Sequence, residues 1–376
     1  MKIVFCIGYA NPQWNALTWQ EKGIGGSEYC VIKLSEQLAK HGHEVYVIGD
    51  VEGAWINRVT YINLNSVLNR GNERGSNSLA FTDVDWVIGV NYIAFTKIMD
   101  DNSFKFSKAI FWAHNEYWHN WYKGEELEDK GKEILEDERL KAIICVSQWQ
   151  VEYINLKRAE ALGYMPSQLP TYIQVISNAI DPNDWENINV PKVRNSFIYS
   201  SATDRGLDWL LNGLWERIYY AMPESTLTIC TPPYSEKWGY EPPKLPGVTW
   251  LGALPPKKLY EQISKSEYWL YPSQYPETYC ITALEMMLGG VKICSTNTGN
   301  LNTLLKNRGV IVDSNQMIGD IQNDMVNAVM RDNGACHDDK AYHYKWYKQT
   351  MENKKWVMEQ TWENRVHEWL MLLENL

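Results

Sequence analysis

"YWLYPSQYPETYCITALEMMLGGVKICST" (residues 268–296) reads as a strand, a proline-bearing turn, an apolar helix and a second strand. Short β-branched and aromatic runs alternating with helical patterns predict a parallel α/β sheet, since parallel neighbours need a crossover between them. Outward from this stretch the alternation continues. "VIVDS" adds a strand on one side, and on the other stand "VTWLG" with a helix over 256–264, "STLTIC", a helix over 206–220 and "SFIYSS". Further upstream "DPNDWENINVPKVRN" (181–195) has no long apolar run and marks a change of unit. Before it the pattern predicts strands at 2–8, 44–49, 59–64, 84–90, 109–113, 142–147 and 173–177, with a helix from near Ser27 to near Gly42. Residues 65–78, rich in Asn, Gly, Arg and Ser, read as a loop. The closing "NKKWVMEQTWENRVHEWLMLLENL" is helical and amphipathic with no strand after it, either a cap on the second unit or a helix returning to the first. The expected fold is α/β with two doubly wound units, 1–188 and 189–350, and a C-terminal helix over 351–376.

Composition narrows the function classes. The 376 residues suit two domains rather than one. Hydrophobic residues at 45% and charged residues at 22% are ordinary for a globular protein, and the formal charge of −10, with no basic stripe, argues against a general nucleic-acid binder. None of the seven cysteines forms a CxxC pair, and Cys6, Cys145, Cys230 and Cys294 lie in strand-like runs, as in a reducing compartment. No apolar run is long enough for a transmembrane segment, and "MKIVFCIG" reads as a strand from the outset, so a cytoplasmic protein is expected. The 18 tryptophans and 23 tyrosines offer stacking platforms for sugars or simply core volume.

Three segments carry candidate chemistry. In "KGIGGSEY" (22–29) Gly25 and Gly26 open a helix, so main-chain N–H groups there contact an anion or belong to an ordinary glycine turn. The order does not fit GxGxxG, which speaks against a dinucleotide fingerprint. In "SSATDRG" the hydroxyls of Ser200 and Ser201 precede Arg205, which either reaches a diphosphate or sits solvated near a helix cap. In the opening stretch the helix begins near Cys280, so the main chain of Tyr279, Cys280, Ile281 and Thr282 is placed to hold phosphate oxygens. Glu285, about one and a half turns on, can accept hydrogen bonds from vicinal hydroxyls of a ribose, and Glu277 from a sugar attached to the phosphate. The plain alternative is two exposed glutamates. His337, Asp338, Asp339 and His343 mimic metal ligands but read as a solvated loop, and no metal is expected.

Proline, Glu277, seven residues, Glu285 and then "MMLGGVKICSTNTGNL" resemble the donor-site signature of retaining glycosyltransferases of family 4. "GIGGSE", "FWAHNEY", "VSQW", "SNAID" and "TWENRVHEWLMLL" stand where that family has its glycine-rich loop, active-site histidine strand, later motifs and closing helix. The resemblance covers nearly the whole chain. It implies the GT-B fold of two facing Rossmann-like domains, the first acceptor-side and the second donor-binding, with the last helix crossing back. It also implies transfer of a sugar from a nucleoside diphosphate donor to a glycan, lipid-linked or other hydroxyl acceptor, with retention and without metal or cofactor. His114 would orient the reacting ring, and Arg205 and Glu277 would act on the donor. One departure stands out: the family has an arginine and then a lysine before the glycine, whereas here Arg205 holds only the second position and Ser200 or Ser201 is near the first. An epimerase of the same fold, or a non-catalytic sugar- or nucleotide-binding module, are the rival expectations.

Overall fold

The computed structural model describes residues 1–7, 13–68, 81–91, 104–115, 137–162, 172–240, 243–333 and 340–376. Its contacts divide the chain into two compact units. Met1–Trp19, Gly26–Asn178 and Trp362–Leu376 form the first; Gln20–Gly25 and Ala179–Thr361 form the second.

The first unit is an eight-stranded sheet of β1 (Lys2–Ile7), β2 (Glu44–Gly49), β3 (Ala54–Ile56), β4 (Val59–Asn63), β5 (Val84–Val90), β6 (Phe106–Ala113), β7 (Leu140–Cys145) and β8 (Tyr172–Val175). The order is β3-β4-β2-β1-β5-β6-β7-β8, and only β3 runs antiparallel to its neighbour. The sequence pattern missed β3, which is three residues long and half exposed. Residues 64–68, read as the edge of a loop, form a short helix after β4. Strand interiors such as Val4, Cys6, Val87, Phe111 and Ile143 supply the core on one face of the sheet. Helices α1 (Gly26–Lys40) and α2 (Gln148–Leu162) are the long crossovers, and the apolar face of α1 buries Val31, Ile32, Leu34 and Leu38 completely.

The second unit is a six-stranded, wholly parallel sheet of β9 (Ser196–Ser200), β10 (Thr226–Cys230), β11 (Val248–Gly252), β12 (Tyr268–Tyr271), β13 (Lys292–Thr296) and β14 (Val310–Val312). Its helices include α3 (Pro256–Lys265), α4 (Ile281–Leu288), α5 (Ile318–Asp332) and α6 (Lys340–Val357). The order β11-β10-β9-β12-β13-β14 reverses between β9 and β12. Loops leaving adjacent strands at such a reversal diverge and open a crevice, here between the turns after β9 and β12.

Two helical expectations are corrected. The helix over 206–220 is broken: Asn212 and Gly213 leave helical backbone angles, with Gly213 at φ 95°. Gln322 of α5 donates to the carbonyls of Trp209 (3.0 Å) and Asn212 (2.7 Å), satisfying groups that the break releases. The closing amphipathic stretch is two helices. Thr361, a residue type favoured before a helix, starts α7 (Trp362–Asn375) after a turn. Within the first unit α7 packs on α1, and Trp362 and Trp369 meet Trp112 edge-on at 6.2 and 4.9 Å between centroids. Truncating a buried indole of this kind costs about 3–5 kcal/mol. No helix among the described residues is long and apolar enough to cross a membrane.

Candidate functional site

At the switch point of the second sheet, two loops touch through a glycine. Gly206 has φ 85°, and a Cβ there would lie 2.4 Å from the carbonyl oxygen of Pro272. Only a glycine lets the turn after β9 press against the turn after β12. The Tyr199 hydroxyl donates to the Ala202 carbonyl (2.6 Å), fixing the first turn from below. Ser200 ends β9 and is buried.

This contact brings Ser201, Arg205 and Glu277 together. The Tyr271 hydroxyl donates to the Glu277 carboxylate (2.6 Å) and lies 3.1 Å from Ser201 Oγ. Arg205 is only 19% exposed; its guanidinium lies over the Tyr275 ring, and Nη1 is 3.5 Å from Asp204 Oδ2. Burial alone would lower the Arg205 pKa, but Glu277 foremost, with Tyr275 and Asp204, outweighs it and raises the value. The main chain of Glu277 is clamped from β13. Asn300 N–H donates to the Glu277 carbonyl (2.7 Å), and at Gly299 (φ 63°) a Cβ would lie 2.4 Å from the same oxygen. Thr296 and Thr298 hydroxyls both donate to the Ser273 carbonyl, at 2.5 and 2.8 Å.

Helix α4 follows directly. Cys280 stands before it with φ 77° and ψ 78°, a left-handed conformation uncommon for a residue with a side chain, and no side chain caps the helix. The first N–H groups, of Ile281 and Thr282, therefore point out of the helix start with its positive partial charge. Tyr279 and Cys280 themselves are buried. The Cys280 thiol has a pKa raised well above normal by burial first, with Glu277 and Glu285 raising it further and Arg205 opposing them. The Glu285 carboxyl is half-buried, and burial followed by the charge of Asp184 raises its pKa to about 7. Asp184 belongs to the short turn Pro182–Trp185, held by Asp181, which accepts from Asn183 N–H at 3.0 Å. Trp185 stacks on Tyr260 of α3 (4.3 Å, 14°), and Tyr260 feels Glu285, Asp184 and Asp181.

In the first unit, His114 follows β6 and is 7% exposed, its ring edge-on to Trp112 at 4.4 Å. Burial lowers its pKa to about 3, so it is a neutral imidazole near pH 7. The main-chain N–H groups of His114 and Asn115 both donate to Asn91 Oδ1 (2.8 and 3.2 Å), and Asn91 Nδ2 donates to Ser27 Oγ (3.2 Å). One asparagine thus ties the turns after β5 and β6 to the first residues of α1. Gly26 begins α1, while Gly25 belongs by its contacts to the second unit. There Gly23 (φ 73°) rests against Leu254, where a Cβ would lie 2.8 Å from the carbonyl oxygen. His343 lies 3.2 Å from Asp332 Oδ1, and His337, Asp338 and Asp339 fall outside the described residues.

No protein-family model matches the sequence, and no curated protein matches it. Solved structures do. Sucrose-phosphate synthase from Thermosynechococcus elongatus superposes with a TM-score of 0.66 at 14% identity, covering 100% of this chain and 99% of that one. HepE of Anabaena in complex with UDP-glucose gives 0.67 at 13% identity, with 100% of both chains covered. WaaG, a glycosyltransferase involved in lipopolysaccharide biosynthesis, gives 0.63 at 13% identity, with 99% of both covered. The fold is GT-B.

Within this GT-B chain, three contributors escaped sequence reading. Asn91, Asp184 and Gly299 each act on a residue distant in sequence, and single-residue spacing carries no trace of that. The one local signal was "NTGN" after β13, a turn signature that required some close approach.

Proposed function

We propose that the chain is a retaining glycosyltransferase, moving a sugar from a nucleoside diphosphate onto an acceptor hydroxyl. The observation that carries this is the convergence of Arg205, Glu277 and the start of α4 at the switch point of one parallel sheet. A half-buried arginine paired with Asp204 and in the field of Glu277, beside an uncapped helix start, suits a diphosphate that gains negative charge as the sugar departs. The diphosphate takes its place beside Arg205 and the Ile281 and Thr282 amides, with the Gly25–Gly26 main chain as a further donor. These groups supply the charge stabilisation in this reading, and no metal is assigned to it. Glu285 accepts from the ribose hydroxyls and Glu277 from the sugar, with Ser200 and Ser201 near the phosphates.

In the step itself the bond between the anomeric carbon and the phosphate oxygen breaks, and the acceptor oxygen bonds that carbon on the same face. The acceptor proton passes to the departing phosphate oxygen. Neutral His114 donates one N–H and orients the reacting region without adding charge. The complex of HepE with UDP-glucose supports UDP-sugars as the first donors to assay.

Glu285→Ala tests the reading. It should weaken donor binding and lower transfer by on the order of 1–3 kcal/mol, as lost hydrogen bonds to a ligand do. Unchanged transfer at sub-saturating donor would remove Glu285 from the site, and a sugar product formed without acceptor would point to an epimerase.

A further inference from the structure

The second unit has another cavity, of about 720 Å3, at the opposite end of α4 from the Ile281 and Thr282 amides. An eight-residue helix is roughly 12 Å long, so Leu288, Gly289 and Gly290, which line the cavity, stand about that far from the Ile281 and Thr282 amides, while Pro182 and Trp185, on either side of Asp184, line its other edge. Lys192, Arg194, Lys292 and Lys354 line it, with Glu267 as a facing carboxylate. That carboxylate is already engaged: it accepts from Lys292 Nζ (3.1 Å) and from Asn195 N–H (2.7 Å). Lys292 also pairs with buried Asp332, which the Tyr268 hydroxyl contacts as well.

The other three cations have no such partner. Among the described residues none of Lys192, Arg194 and Lys354 is within ion-pairing distance of a carboxylate. Arg194 donates to Asn333 Oδ1 (3.0 Å). The Lys192 ammonium spends two of its three donors on the carbonyls of Ser266 (2.6 Å) and Gly289 (2.7 Å). Burial lowers the Lys192 pKa to about 7 against the opposing pull of Glu267, and Lys354 and Lys292 lower it further. A group in that state gains from a bound anion. Helix α6, which carries Lys354, also gives the cavity apolar surface. Tyr347 and Met351, one turn apart on α6, are 53% and 54% exposed, and Met358 is 48% exposed.

We propose that this cavity binds a small organic anion, with one phosphate or carboxylate group against Lys192, Arg194 and Lys354 and an apolar body against Tyr347 and Met351. Its volume falls within the range of small-molecule sites. The cavity is built from the segments by which the chain enters and leaves the second unit, joined where Ile180 N–H donates to the Gln360 carbonyl (3.0 Å).

Phenyl phosphate carries both required features and is the probe, measured on the full chain by thermal shift and calorimetry. It should raise the melting temperature more than inorganic phosphate or phenol at equal concentration. Benzoate in its place tells a carboxylate site from a phosphate site, and either ligand supports the proposal. Lys354→Glu, at an exposed position, should leave the ligand-free melting temperature no lower, since it removes a like charge near Lys192, and weaken binding at least tenfold. Arg205→Ala should leave binding within twofold, which separates this cavity from the donor loops whether or not the transferase reading holds. The proposal is overturned if neither probe binds, if Lys354→Glu binds like the unaltered chain, or if Arg205→Ala abolishes binding.

Discussion

The loops around His114 and the loops around Arg205 handle charge in opposite ways. In the first unit burial pushes His114 down and Glu28 up, both toward their neutral forms, and the links between turns are made by Asn91 and Ser27. In the second unit Arg205 stays charged because Glu277 and Asp204 offset its burial. Glu285 is raised in pKa while Asp184 stands beside it. A site that keeps charges half-compensated is poised for a charged ligand, since the ligand completes the compensation. A site that expels charge can orient a neutral sugar or hydroxyl.

The sharpest way to break this contrast is Arg205→Ala. Loss of a charged hydrogen-bonding partner should cost about 1.5–3 kcal/mol in donor affinity, roughly a ten- to hundredfold rise in Kd for a UDP-sugar. Arg205→Lys should recover only part of it, because a point charge does not reproduce the planar fork over Tyr275. Donor affinity that ignores both changes would mean the second unit is no more an anion site than the first.

A smaller effect is expected from Glu285→Gln in stability. The folded pKa of about 7 lies above the ordinary value of 4.5, so the folded chain binds the proton more tightly than the unfolded chain does. Stability associated with Glu285 is therefore full below about pH 4.5 and falls as pH rises toward 7. Glu285→Gln should gain about 1–2 kcal/mol relative to the unaltered chain at pH 8, after discounting for partial exposure, and nothing at pH 4. Denaturant titrations at the two pH values measure it. A gain of equal size at both would show that Asp184 and burial do not act on this carboxylate.

The smallest expected change in signal belongs to the His114 imidazole. With its pKa lowered to about 3, its imidazole signal in NMR should stay flat from pH 8 to pH 5. Because the unfolded form titrates near 6.5, stability associated with this residue is full above that value and lost as pH falls toward 3. A titration near pH 6.5 assigned to His114 would erase the difference between the two regions.

Much of the architecture was legible from residue periodicity. The strands at 44–49 and 84–90 have the bounds the apolar runs predict, because a buried strand must be apolar along its whole length. The turn carrying Glu277 and the helix carrying Glu285 were equally plain, since proline and an apolar helical pattern are local signals. The break at Gly213 was not, because it depends on a glutamine more than a hundred residues away reaching the freed carbonyls.

The amino-acid order by itself determined two alternating α/β units, their parallel sheets and the types of residue offered at each strand end. These follow from short-range rules of burial and backbone conformation. Tertiary structure alone decided that Tyr271 joins Glu277 to Ser201, that Arg205 lies over Tyr275 in the field of Glu277, that Asp184 raises Glu285, and that Asn91 gathers three turns around His114. Coulomb forces and hydrogen bonds act over a few ångströms of space, whatever the distance along the chain.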